Sequence, residues 1–239
     1  DRLLARDPNA PTAVLPALRG LLGKIPGLPL AANIEVKADQ IMLGGRPIQN
    51  VSANLHGDHE TWTVGRLEFN APGTTRVVVN GKLAQPDPSA GFNGIFDVGS
   101  SDSDTFVAWL LGRSDIAYRS QKPLSLRGNL RVDSSQVVVD QMKADIEGGS
   151  VEGRLAFARA KTGKGTRTEA DLKADRLDLD AAAVLVRAFA GPAGDWPDEG
   201  HFSLNVDRAT AAGHEWHPFI ANLAYDPKAI TLEQLKIGR

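Results

Sequence analysis

Cysteine is absent from the 239 residues. That excludes disulfides, thiolate metal sites and a thiol nucleophile, and it suits a bacterial cell-envelope compartment as well as the cytosol. An excess of either charge is missing too. Lys and Arg number 27 against 29 Asp and Glu, a net charge of -2, and the cations are scattered, so no nucleic-acid partner is expected. No apolar run approaches the roughly 20 residues that span a bilayer as a helix. There is no signal peptide, and the chain opens on Asp1, so any targeting segment or membrane anchor is expected outside these residues. Walker loops, dinucleotide fingerprints and H-E-x-x-H are lacking. Gly148-Gly149-Ser150-Val151-Glu152-Gly153 lacks the G-x-S-x-G spacing and stands between two strands, so it is no serine elbow. A non-enzymatic protein without a cofactor is expected.

What the sequence does have is a stretch written three times. Trp62-x-Val64-x-x-Leu67-x-Phe69 recurs as Val137-x-Val139-x-x-Met142-x-Ala144-x-Ile146 and as Ile230-x-Leu232-x-x-Leu235-x-Ile237. Apolar residues recur at step two, the period of a strand with one buried face, slip once to step three, and return to step two. One extra residue in a β-bulge restores the side chain to the same face, so the slip predicts a bulge in each copy. Ahead of each copy stand Asn-Leu and an acid: Asn54-Leu55 with Asp58, Asn129-Leu130 with Asp133, Asn222-Leu223 with Asp226. Behind the first two come a Gly-rich corner (Pro72-Gly73, Gly148-Gly149) and a closing strand, Val79-Asn80-Gly81-Lys82-Leu83-Ala84 or Val151-Glu152-Gly153-Arg154-Leu155-Ala156. The chain is built of internal repeats. The third copy reaches Gly238-Arg239 without a closer, so the chain is expected to be part of something longer.

At 42% hydrophobic and 23% charged, the composition is that of a folded protein. The expected fold is mainly β: repeated antiparallel meanders forming a curved sheet, groove or sandwich, with short capping helices. Residues 1–29, with five prolines and Leu15, Leu18, Leu21 and Leu22 on one helical face, form an N-terminal helical segment. Residues 30–120 form the first β unit, with a short helix capped by Asp102 or Ser103 and carrying Phe106, Trp109 and Leu110 on one side. Residues 121–198 form the second, with a basic hairpin loop over 160–168 and a helix over 181–190 capped by Asp180. Residues 199–239 form a truncated third unit. Val36-Lys37-Ala38-Asp39-Gln40-Ile41 is echoed by Leu172-Lys173-Ala174-Asp175-Arg176-Leu177 and by Leu204-Asn205-Val206-Asp207-Arg208-Ala209.

Two groups could suggest a metal: His214 with His217, and His56, Asp58, His59 and Glu60. Strand alternation sends close neighbours to opposite faces, and both groups sit at corners where His and Asp are ordinary, so no metal site is assigned. Asp175, Asp178 and Asp180 lack the Gly and distal Glu of a calcium loop. The abundant feature is apolar strand face, more than two short helices and an N-terminal segment can cover. It must pack against another sheet or bind something apolar.

Three stretches resemble the AsmA family of Gram-negative envelope proteins: Gly148-Gly149-x-x-x-Gly153-x-Leu155, the Leu172-to-Ala181 run with its following helix, and the Gly200-to-Asp207 strand. The similarity runs from about residue 30 onward and rests on Gly, Leu and Asp spacing. The first unit departs from it, having Pro72-Gly73 in place of a Gly-Gly pair. The resemblance implies an inner-membrane anchor on the parent protein, a periplasmic body of β repeats with an apolar groove, and a part in outer-membrane biogenesis through phospholipid binding or transfer. The partners it implies are a phospholipid or other acyl-chain lipid and envelope proteins; no residue-level site is carried over from the family, and the lipid-facing candidates are those of the repeated apolar strand face, Val64, Leu67, Phe69, Val139, Met142, Ile146, Leu232 and Leu235. A strand face of eight residues is about 26 Å long, comparable to an acyl chain. The alternative is a structural or interaction module that assists outer-membrane protein assembly through its sheet edges.

Overall fold

A computed structural model describes residues 30–238, apart from 44, 59–60, 85–90, 111–122, 134, 147, 160–164, 181 and 183–197. The expected N-terminal helix, most of the helix over 181–190, the start of the basic loop, and His59 with Glu60 lie outside the described residues. The chain divides into two compact units, 30–133 and 135–238 in the described residues. Both are mainly β, as the period-two patterning requires.

The first unit contains β1 (Ala32–Leu43), β2 (Arg46–Gly57), β3 (Thr61–Ala71), β4 (Thr75–Ala84), β5 (Gly91–Ser100) and β6 (Leu124–Asp133). Each strand pairs antiparallel with the next. Such a meander needs only tight corners. Gly45 turns the chain at φ 71° and Gly73 at φ 84°. Asp58 closes the β2–β3 corner: its backbone N donates to Thr61 O at 3.0 Å, and its Oδ1 accepts from Thr61 N at 2.7 Å.

Helix α1 (Ser103–Leu110) follows β5. Asp102 caps it, accepting from Thr105 N at 3.1 Å and Thr105 Oγ1 at 2.6 Å, which satisfies an otherwise orphaned N–H of the first turn. The cap is held on the β3–β4 corner, with Asp102 N and Ser100 Oγ both donating to Gly73 O at 3.1 Å. Phe106 and Trp109 then pack on Ile48, Val51, Ala71, Val77 and Val98 as the core of this unit. A buried indole needs a hydrogen-bond partner, and Trp109 Nε1 donates to Leu43 O at 2.9 Å.

The second unit contains β7 (Gln136–Ile146), β8 (Gly149–Arg159), β9 (Thr166–Asp178), β10 (Glu199–Ala211), β11 (His214–Trp216), β12 (Phe219–Tyr225) and β13 (Ile230–Ile237). The order is β7-β8-β9-β10-β12-β13, with β11 beside β10. Strand β9 takes in Thr166, Arg167 and Thr168, which the sequence assigns to the basic loop. One junction departs from the expected antiparallel meander: β9 and β10 are parallel. Parallel neighbours need a crossover of a dozen residues or more, usually helical, and β9 ends at Asp178 while β10 begins at Glu199. Residues 179 and 180 are already helical. Their cap is Asp178, whose Oδ1 accepts from Asp180 N at 2.9 Å. Asp180 accepts from Ala212 N at 2.7 Å, and most of the helix it is expected to cap lies outside the described residues.

All three predicted bulges occur at the three-step slip. The β3–β4 register shifts between Val64 and Leu67, and the β7–β8 register between Val139 and Met142. In β13, Leu232 faces Leu223 while Gln234 faces Asn222, so Glu233 is the extra residue. The echoed stretches carry the slip as well. Ala38 pairs with Val51 and Ile41 with Ile48, and Ala174 pairs with Val206 and Leu177 with Ala209. Here both partners slip together, so the ladder keeps its register.

Candidate functional site

The register sorts each sheet into two unlike faces. In the first unit, Leu67 lies between Ala53 and Val79, and Phe69 beside Val77. Val64 lies between Leu55 and Gly81. Across β5 and β6 the same rows continue through Phe96, Val98 and Leu126. The other face carries ions: Glu68 takes Arg66 at 2.7 Å and Arg76 at 2.6 Å. Those guanidiniums, Arg76 first, hold the Glu68 carboxyl below its ordinary value.

The second unit repeats the plan. Val139 faces Leu155, Met142 faces Gly153 and Ile146 faces Gly149. Leu232 faces Leu223, and Leu235 faces Ala221. At the bulges, a charged residue is turned to the polar side and meets a partner there. Asp140 takes Arg154 at 2.9 Å, and Glu233 lies 3.4 Å from His201 Nε2. The slip thus keeps the apolar row intact while its extra residue joins the polar face. Val138 and Ala156, opposite one another on the other face, are buried as well.

Glycines open the apolar faces and aromatic rings fill them. Gly81 and Gly94 are paired, and a Cβ on either would run into the Phe92 ring. In the second unit the Tyr225 ring covers Gly200 and stacks on Phe202 with centroids 5.8 Å apart. Burial, with a smaller effect of the Asp198 carboxylate, raises the Tyr225 phenol above its ordinary pKa and keeps it neutral. Sequence reasoning misses these ring-over-glycine sites because they depend on which strands become neighbours.

The eight candidates differ in exposure. Val64, Leu67, Phe69, Val139 and Ile146 are half-buried. Met142 is buried at 7% exposure, whereas Leu232 and Leu235 are 54% and 50% exposed. Phe69 packs against the core under α1. Helix α1 covers one end of the first apolar face, and Ile34, Val36 and Ile41 of β1 remain 40–42% exposed. Alternation places those three on a strand without singling them out. Among the described residues, no three His, Asp or Glu side chains are grouped to hold a metal ion. His56 instead bonds Asn33 at 2.7 Å. No described helix is long and apolar enough to cross a membrane. No family model matches the chain, and neither does any curated protein or solved structure.

Proposed function

We propose that the chain is a non-enzymatic, AsmA-like β-repeat segment of the Gram-negative periplasm that binds acyl-chain lipids along its apolar strand faces, in the service of outer-membrane biogenesis. In this proposal the parent protein is anchored in the inner membrane. The observation that carries the reading is the partial exposure of otherwise coherent apolar faces: Val36 and Ile41 in one unit, Leu232 and Leu235 in the other. Each methylene moved from water onto such a face gains about 0.8 kcal/mol when fully buried. An acyl chain is long, unbranched and tolerant of irregular floors, so a strand row with no polar side chain suits it. The ion pairs of the opposite face stay in water.

Native mass spectrometry, with lipid extraction of the same sample, tests this reading. After incubation with phosphatidylglycerol–phosphatidylethanolamine vesicles, the expected result is a phospholipid adduct that weakens in Val36→Lys and Leu232→Lys. Both positions are exposed, so both variants should keep the far-ultraviolet circular dichroism of the parent. A protein that stays lipid-free, or adducts indifferent to both substitutions, would sink the proposal.

A further inference from the structure

A ring laid over glycine recurs in both units, but only one of the two rings carries a hydroxyl. Phe92 covers Gly81 and Gly94 in the first unit, and Tyr225 covers Gly200 in the second. The packing itself therefore needs no phenol oxygen. That oxygen is buried on Tyr225 and, among the described residues, has no hydrogen-bond partner. The same is true of Thr168 Oγ1, on a residue only 5% exposed. A buried hydroxyl left unpaired is costly, so a native structure that keeps two of them calls for a partner. The register brings the two together. Gly200 pairs with Thr168 on one side and with Tyr225 on the other. The carbon that bears the phenol oxygen would lie 2.6 Å from a Cβ on Gly200, so the phenol has reached across from β12 to β10, the strand beside Thr168.

We infer that the Thr168 and Tyr225 hydroxyls anchor the ester carbonyl of an acyl lipid, a site that rests on the lipid-binding function proposed for the chain. A carbonyl oxygen has two lone pairs and can accept from both donors at once. Position favours an ester. Thr168, Gly200 and Tyr225 stand at one end of β9, β10 and β12. From there the same face continues through Ala170 beside Phe202 and Ala174 beside Val206. An ester is the junction between a lipid's polar end and its chain, so a carbonyl held here leaves the head group outside and lays methylenes on the apolar rows. Burial favours a partner that arrives within an apolar body. The Tyr225 ring is stacked on Phe202, and its hydroxyl has no bond to give up when the ring swings aside. Charge narrows the choice. Burial first, and the Asp198 carboxylate second, keep the phenol protonated and therefore a donor. That carboxylate, which accepts from Thr166 N at 2.7 Å, opposes a phosphate or fatty-acid oxygen in the same place. A neutral carbonyl meets every condition.

The probes are a short-chain diester phosphatidylglycerol, below its micelle concentration, and the diether analogue with the same chains and head group. The ether lacks only the carbonyls. Titrated into the full 239-residue chain, the diester should bind about threefold to tenfold tighter than the diether. Thr168→Val and Tyr225→Phe remove one hydroxyl each with little change of shape. Each should bring diester binding down towards the diether level and leave diether binding as it was. Because each removes a buried hydroxyl that lacks a partner, the urea midpoint should stay at or above that of the parent. Equal binding of the two lipids by the parent would overturn the inference and leave lipid binding standing; with unchanged midpoints it would mean that the hydroxyls hold enclosed water only. An ester preference that survives both substitutions would place the carbonyl elsewhere. A midpoint lowered in both variants would show that the hydroxyls are already satisfied within the protein, and would also overturn it. If neither lipid binds, the lipid-binding function itself fails, and this site fails with it.

Discussion

Two glycines with nearly the same backbone angle have different reasons to be glycine. Gly73 and Gly148 turn the chain at φ 84° and 81°. A Cβ on Gly148 would meet nothing within 4 Å, whereas one on Gly73 would collide with Asp102 O and lie 2.9 Å from Phe106 N. Gly148→Ala therefore carries only the left-handed backbone penalty, about 1 kcal/mol. Gly73→Ala must also push the helix cap off its corner and should cost about 3 kcal/mol. Urea midpoints of the two variants check this difference. Glu68 supplies a pH effect. Its folded pKa is depressed below the ordinary 4.5 by Arg76 and Arg66, so its contribution is present above that value and is lost as pH falls through the folded one. Glu68→Gln should flatten the acid limb of the stability curve below about pH 4.5, read as denaturation midpoints against pH.

Within a single strand, the bulge decides which residues are buried. Inserting one residue after Asp140 would bring Gln141 and Lys143 to the positions of Met142 and Ala144, which are 7% and 6% exposed. Burying an amide and an unpaired charge costs far more than an ordinary substitution, on the order of 4 kcal/mol or more. The insertion should therefore abolish the cooperative unfolding transition of the second unit. Asp175 stands at the shared slip of β9 and β10. Its Oδ1 accepts from Ser150 N at 2.7 Å and Arg176 N at 2.6 Å, taking up backbone donors where the strand is irregular. Asp175→Ala should cost about 1–2 kcal/mol, and Asp175→Asn, which keeps an acceptor oxygen, should recover most of it. Equilibrium denaturation of both variants is the check. The closers illustrate where sequence legibility stops. Aligned by residue, Gly81 matches Gly153, yet Gly81 faces Val64 before its bulge while Gly153 faces Met142 after its own. Three residues separate β3 from β4 and two separate β7 from β8, and the pairing takes its register from that spacing, not from the resemblance of the strands.

For the molecule as a whole, most strands pair with their neighbours in sequence, so each unit is close to a linear stack of hairpins. Stability in such a stack is a sum over adjacent pairs, and its ends open first. Amide exchange should be fastest in β13, where every residue is exposed, and slowest around Val206 and Ala209, both at 0% exposure in β10. Uniform protection across the second unit would contradict this.

Alternation, slip and local hydrogen bonding act over a few residues, and they are legible in the chain alone. From them follow the mainly β class, the three bulges, a helix cap at Asp102 or Ser103, and the side of each strand on which apolar residues fall. Other properties arise only when distant segments meet. The parallel run of β9 beside β10 is one, and the covering of glycines on neighbouring strands by Phe92 and Tyr225 is another. A third is that Met142 is buried while Leu232 and Leu235 are not. The same apolar pattern is buried or exposed according to whether a closing strand lies beside it. Burial is a property of neighbours, and a strand's own residues do not carry it.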